Sequence, residues 1–141
     1  MLIKRGRSWI RVFVFLISLI SACSEVQEKE ALCKFEEGPC IKRLNSHELI
    51  LEVRPAPPQA FKELKFILSV RGRNISSEEL LIDLTMPGMF MGKNQVRLKR
   101  QGNNIYTGIG VIPRCPSGKT LWQAEVILPG GDAIAFRFHV K

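Results

Sequence analysis

The chain is poor in the residues from which most active sites are built. Its 141 residues include only two histidines, His47 and His139, and a single tyrosine. There is no C-x-x-C pair, no internal repeat and no low-complexity tract. The acidic residues are scattered over the polar positions of alternating segments, so neither a Ser/His/Asp or Cys/His constellation nor a general acid/base pair is visible. "GIG" and "GG" lack the strand-to-helix setting of a phosphate loop. These absences argue against a redox dithiol, a four-ligand zinc set and hydrolytic machinery, and the expectation is a protein that is not an enzyme. A long apolar run is also missing: the one near the start spans roughly 10 residues against the ~20 that a spanning helix requires.

That short run has the setting of a targeting segment. Lys4, Arg5, Arg7 and Arg11 precede "VFVFLISLI" (residues 12–20), and small residues lead to Cys23 in "ISAC". A basic region, a short apolar stretch and a small-residue cleavage site together read as a bacterial secretory signal. "ISAC" resembles the lipobox of bacterial lipoproteins, with Ile20 where leucine is commoner. The resemblance implies that residues 1–22 are a lipoprotein signal peptide and that Cys23 is lipidated and becomes the new N-terminus. Several acyl chains anchor stably, because each buried CH₂ contributes about 0.8 kcal/mol and one chain alone is marginal. The expected location is outside the cytoplasm, anchored through lipid to a bacterial membrane. In a Gram-negative host Ser24 after the lipidated cysteine favours the periplasmic face of the outer membrane. Half of the net charge of +8 belongs to the basic region before the apolar run. No polybasic block remains in the mature chain, so nucleic acid is not an expected partner.

Residues 23–39 are rich in Glu and Lys with few large apolar side chains and read as a lipidated flexible tether. From residue 40 to 141 the period is two. "HELILEVRP", "LKFILSVRG", "LLIDLT", "QVRLKR", "IYTGIGVI", "LWQAEVIL" and "AIAFRFHV" alternate apolar and polar positions, as half-buried strands do. "QGNN" and "PGGD" supply hairpin chemistry. About seven short strands with no convincing helix predict an immunoglobulin-like antiparallel β-sandwich, with a small barrel as the alternative.

If consecutive strands reverse direction, counting them assigns each loop to one end of the fold. "APPQA" (56–60), "MPGMFMG" (86–92) and "PRCPSGK" (113–119) fall at the same end, together with Trp122 and His139. Cys40 joins them if "CIKRL" is a further short strand. Beyond the lipobox the cysteines are Cys33, Cys40 and Cys115, an odd number in an oxidising compartment. A Cys40–Cys115 disulfide would close a long loop and contribute about 4 kcal/mol. Cys33–Cys40, closing a small loop around "KFEEGP", is the alternative.

"MPGMFMG" holds every methionine except the first residue. Cu(I) is a soft ion that takes thioether, thiolate and imidazole ligands. Met86, Met89 and Met91 are therefore candidate ligands, with Cys115 or His139 as a fourth group and Trp122 as a cover. The competing expectation is that these methionines fill the open end of the fold or form a partner-binding patch.

The order of "MPGMFMG", "VRLKRQGNNIYTGIGVIPRCPSG" and "LWQAEVIL" resembles the YtkA-like domains and their FixH-like relatives. Met86, Pro87, Met89, Tyr106, Gly108, Gly118 and Trp122 carry the resemblance. It implies an exported or membrane-tethered β-sandwich and, as partners, copper-handling or oxidase-assembly proteins. The chain departs from the commoner pattern in having no histidine within the methionine segment and a cysteine before "PSG". That departure points to a sulfur-only version of the site.

Overall fold

A computed structural model describes residues 31–141. Cys23, the lipobox and the expected signal peptide lie outside the described residues. Eight strands follow in order: β1 (Cys40–Leu44), β2 (His47–Arg54), β3 (Glu63–Gly72), β4 (Glu79–Thr85), β5 (Gln95–Gly102), β6 (Ile105–Val111), β7 (Leu121–Ile127) and β8 (Ala133–His139). They form a single sheet in the order β1-β2-β3-β6-β5-β4-β7-β8, and every pairing is antiparallel. No helix occurs among the described residues.

The alternation read from the sequence is the packing. Leu49, Leu51 and Val53 on β2, Leu64, Phe66, Leu68 and Val70 on β3, and Leu80, Ile82 and Leu84 on β4 are all buried. Trp122, Ala124 and Val126 on β7 meet Phe136 and Phe138 on β8 in the same interior. Each face of a strand takes every second residue, so one register places a whole apolar set inside.

The architecture differs from the expected sandwich of about seven strands in two respects: there are eight strands, and they form one continuous sheet nearly closed into a barrel. Strand β5 explains the continuity. Its first half pairs with β4 through Gln95 to Lys99, and its second half pairs with β6 from Lys99 onward, with an irregularity between Arg100 and Gly102. The sheet therefore turns a corner along β5 without a break. On β6 the inward positions next to this corner are Gly108 and Gly110. A Cβ on Gly108 would lie 2.3 Å from Arg97 O, and one on Gly110 would lie 2.4 Å from a Val96 methyl. Missing side chains let the two strands cross this closely.

Behind the corner, the buried Tyr106 hydroxyl donates to Ser77 O at 2.9 Å. Arg100 Nη2 donates to Tyr106 Oη at 2.8 Å, to Ser77 O at 2.9 Å and to Ile75 O. This clamp fixes the long β3–β4 connection at the end opposite the methionines.

The eighth strand and the segment before β1 close the seam between β8 and β1. Lys42 Nζ donates to Ala135 O at 2.6 Å across that gap. Cys33 bridges Phe138 in parallel, its N–H donating to Arg137 O at 2.7 Å. Phe35 is buried with its ring 5.2 Å from that of Phe138. The folded part thus begins before residue 40, and the expected flexible tether contributes Cys33 and Phe35 to the interior. The disulfide joins Cys33 to Cys40 and leaves Cys115 free. This is the shorter pairing and replaces the expected Cys40–Cys115 bond, because the Cys33 segment is held beside the start of β1 by β8. The small loop contributes about 2.5 kcal/mol on the chain-entropy relation.

Candidate functional site

Because all pairings are antiparallel along the sheet, odd and even strands run in opposite directions. Loops 55–62, 86–94 and 112–120 therefore share one end with the start of β1 and the finish of β8. Hydrogen bonds tie these loops to one another, to the end of β6 and to the last residues of the chain. Phe61 N–H donates to Ile112 O at 2.9 Å, Asn94 Nδ2 donates to Val111 O at 3.1 Å, and Ala60 N–H donates to Lys141 O at 2.7 Å.

Two tight turns bring sulfur to this end. In the first, Met89 N–H donates to Met86 O at 3.1 Å, with Gly88 at φ +75°. In the second, Gly118 N–H donates to Cys115 O at 3.0 Å, with Gly118 at φ +74°. Both glycines occupy the left-handed region, which costs a residue with a Cβ far more. The turns face each other: Cys115 Sγ lies 3.7 Å from Met89 Sδ. Thiol S–H and thioether S form a weak donor–acceptor pair at that distance.

Cys115 is buried, yet polar groups surround its sulfur. Ser117 Oγ lies 3.0 Å from Sγ. The Ser117 hydroxyl holds the thiol pKa below its ordinary value; backbone N–H groups of Ser117 and Lys119 and the charge of Lys119 act in the same direction, against the upward push of burial. Donors that point at a sulfur favour its anion. Trp122, fully inside the barrel, walls the cleft that Cys115 lines.

No protein-family model, curated protein or solved structure matches this chain. The functional reading therefore rests on the residues and their geometry.

Of the candidate ligands, Cys115 and Met89 come together. Met86 shares the turn with Met89, but its side chain is packed into the core, 3% exposed. Met91 is half-buried against the core edge. His139 stands apart: its Nδ1 is 2.8 Å from Thr120 Oγ1, and it lines a different cleft with Leu32, Pro57 and Pro58. Cys40 is at this end, as counting strands predicts, but is engaged by Cys33. Among the described residues no group of three or more His, Cys, Asp or Glu side chains is arranged to hold a metal. The donor set that does converge is sulfur alone.

Sequence reasoning passed over Ser117 and Lys119. The signal was "CPSGK": a serine two places after a cysteine, with a glycine next, folds its hydroxyl and the following N–H groups back onto the thiol. Phe61 was also missed. It is exposed, and its φ of +59° is rare for a bulky residue.

Proposed function

We propose that this is an exported, lipid-anchored, non-enzymatic protein that holds or hands on Cu(I) through Cys115 and Met89. The observation that carries the reading is the pair of sulfurs from two separate turns, 3.7 Å apart. Metal–sulfur bonds of about 2.3 Å at a tetrahedral angle put two sulfurs about 3.7 Å apart, so the donors fit a soft ion without rearrangement. The thiolate supplies the charge, and Cu(I) displaces the Cys115 proton as it binds. Met91, half-buried nearby in sequence, is the candidate for a third sulfur; Met86 and His139 are not needed. The resemblance to YtkA-like and FixH-like β-sandwich domains supports the same reading and carries with it a copper-handling or oxidase-assembly partner.

Titration of the chain with Cu(I) against a chromophoric chelator tests this. Cys115→Ser is expected to weaken binding by at least about 100-fold and Met89→Leu by about tenfold, since loss of a mere supporting contact already costs 10–100-fold in metal sites. Met86→Leu should leave affinity unchanged. Affinity should fall about tenfold per pH unit once the medium is more acidic than the thiol's pKa, because a proton then competes with the metal. The lowered pKa moves that decline to more acidic pH than for an ordinary cysteine. Equal affinity in wild type and Cys115→Ser/Met89→Leu would refute the proposal.

A second reading, an interaction module whose methionines are packing, is favoured by the burial of Met86. It is the conclusion if no stoichiometric Cu(I) binds. The anchor is checked separately: labelled palmitate should enter the wild type and not Cys23→Ala, and labelling of the variant would remove Cys23 from the account.

A further inference from the structure

The loops that carry the sulfurs also carry an uneven distribution of charge and exposed aromatic surface. Loops 55–62, 86–94 and 112–120 hold Lys62, Lys93, Arg114 and Lys119 and not one acidic residue. The connections at the opposite end, 45–46, 73–78, 103–104 and 128–132, hold one cation, Arg73, and two anions, Glu78 and Asp132. The sulfur-bearing end also presents Phe90, 95% exposed, and Phe61, 66% exposed. Phe61 keeps its exposure in a left-handed backbone conformation fixed by its hydrogen bond to Ile112 O. A folded chain gains nothing by holding two phenyl rings in water at the tips of basic loops.

A membrane anchor within residues 1–30, as in the proposed function, would bring a membrane to this end. The described fold starts at Ala31, and Cys33 lies beside Phe138, one residue before the last of β8. Leu32 shares a cleft with Pro57 and Pro58 of loop 55–62. An attachment at Cys23 is nine residues from Leu32, a reach of at most about 30 Å. Glu36 and Glu37 lie on the turn at the side of this end, where Glu37 is held by Lys34 at 3.0 Å; Glu63 opens β3 below the loops.

We propose that this end of the barrel is a docking face for an anionic phospholipid surface. Phe61 and Phe90 enter the headgroup–acyl boundary, as aromatic rings at an interface do. Lys62, Lys93, Arg114 and Lys119 lie over the lipid charge, each raising the population at the surface about fivefold. The cleft beside Cys115 then faces the membrane. The proposal needs membrane attachment within residues 1–30 but requires neither bound copper nor lipid on Cys23, so it stands or falls separately from both.

The test uses the full chain reconstituted in protein-free vesicles, with Phe90→Trp as reporter and brominated phospholipid as quencher. The wild type, which carries Trp9 and a Trp122 sealed in the core, supplies the reference signal to be subtracted, so that only the indole at position 90 is read. Vesicles containing phosphatidylglycerol should quench the introduced indole and shift its emission to the blue. Phosphatidylcholine vesicles, or high salt, should not. Lys62→Glu, Lys93→Glu, Arg114→Glu and Lys119→Glu combined should abolish the quenching, the additive loss being on the order of several hundredfold. Near-ultraviolet circular dichroism verifies that this variant is folded. Absence of quenching in anionic vesicles overturns the proposal. Quenching equal in both lipids, or seen only in native membranes where proteins are present, overturns it as well, the last result assigning the face to a protein partner.

Discussion

Trp122→Ala is expected to destabilise the protein by about 3–5 kcal/mol, the range for deleting a fully buried aromatic side chain. Trp122 is 1% exposed, is among the largest fully buried side chains and stands opposite Phe138 on β8. The truncation removes apolar burial and leaves a cavity that the surrounding sheet cannot collapse into, because its neighbours are pinned by strand pairing on both sides. A single domain has a stability of about 5–15 kcal/mol, so such a loss takes a large share of it. Urea unfolding followed by circular dichroism measures the change. The variant has a second signature. Trp122 walls the cleft of Cys115, so the rate of thiol alkylation should rise in native buffer, whereas Trp122→Phe should retain most of the protection. An unchanged unfolding midpoint in Trp122→Ala would show that the side chain is not the central packing element.

Gly108→Ala should cost about 3 kcal/mol or more, beyond the usual upper figure for an added methyl in a core. The new Cβ would lie 2.3 Å from Arg97 O, 2.9 Å from Leu98 Cδ2 and 3.0 Å from Val96 Cγ1. The leucine and valine ends can rotate away; the carbonyl of Arg97 cannot, since β5 is fixed there by its pairing with β4. Relief requires β6 to move off β5, which strains the corner where the two strands meet. Amide exchange at Tyr106 and Thr107 should accelerate along with the loss of global stability, and Gly102→Ala, with open space around its Cβ, provides a comparison in which only its φ of +117° is strained. A Gly108→Ala protein as stable as wild type would mean that the corner can open without penalty.

The alternation of β2, β3, β4, β7 and β8 was legible in the sequence because a half-buried strand writes its burial pattern directly into every second residue. The end occupied by each loop was legible too. Strand reversal alone placed Met89 and Cys115 together, and the structure has them in contact. The closure of the sheet was not legible, because nothing in "QVRLKRQG" marks β5 as serving β4 with one half and β6 with the other. The sign of that corner was "GIG" on β6, two small inward residues that periodicity records only as missing apolar positions. The expected tether misled for a related reason: in a stretch of Glu and Lys, a single phenylalanine and one cysteine outweigh the composition, Phe35 packing on Phe138 and Cys33 entering the core. His139 was placed at the correct end, where its ring meets Thr120 and lines the cleft beside Leu32; counting strands assigns height along the barrel and says nothing of the angle around it.

The seam between β8 and β1 also decides how the protein bears tension. A pull applied through residues 1–30 reaches the fold at Cys33, which is bonded to Arg137 O on one side and covalently to Cys40 on the other. The load is shared between two neighbouring strands from the outset. With Cys33 and Cys40 linked, the short loop between them is shielded from the pull, and the force passes directly into the first residue of β1, whose five register pairs with β2 are the next to resist. With the bond reduced, the same pull would extract Phe35 from its place against Phe138 before β1 felt it, so the oxidised chain can transmit stress where the reduced chain would pay out slack.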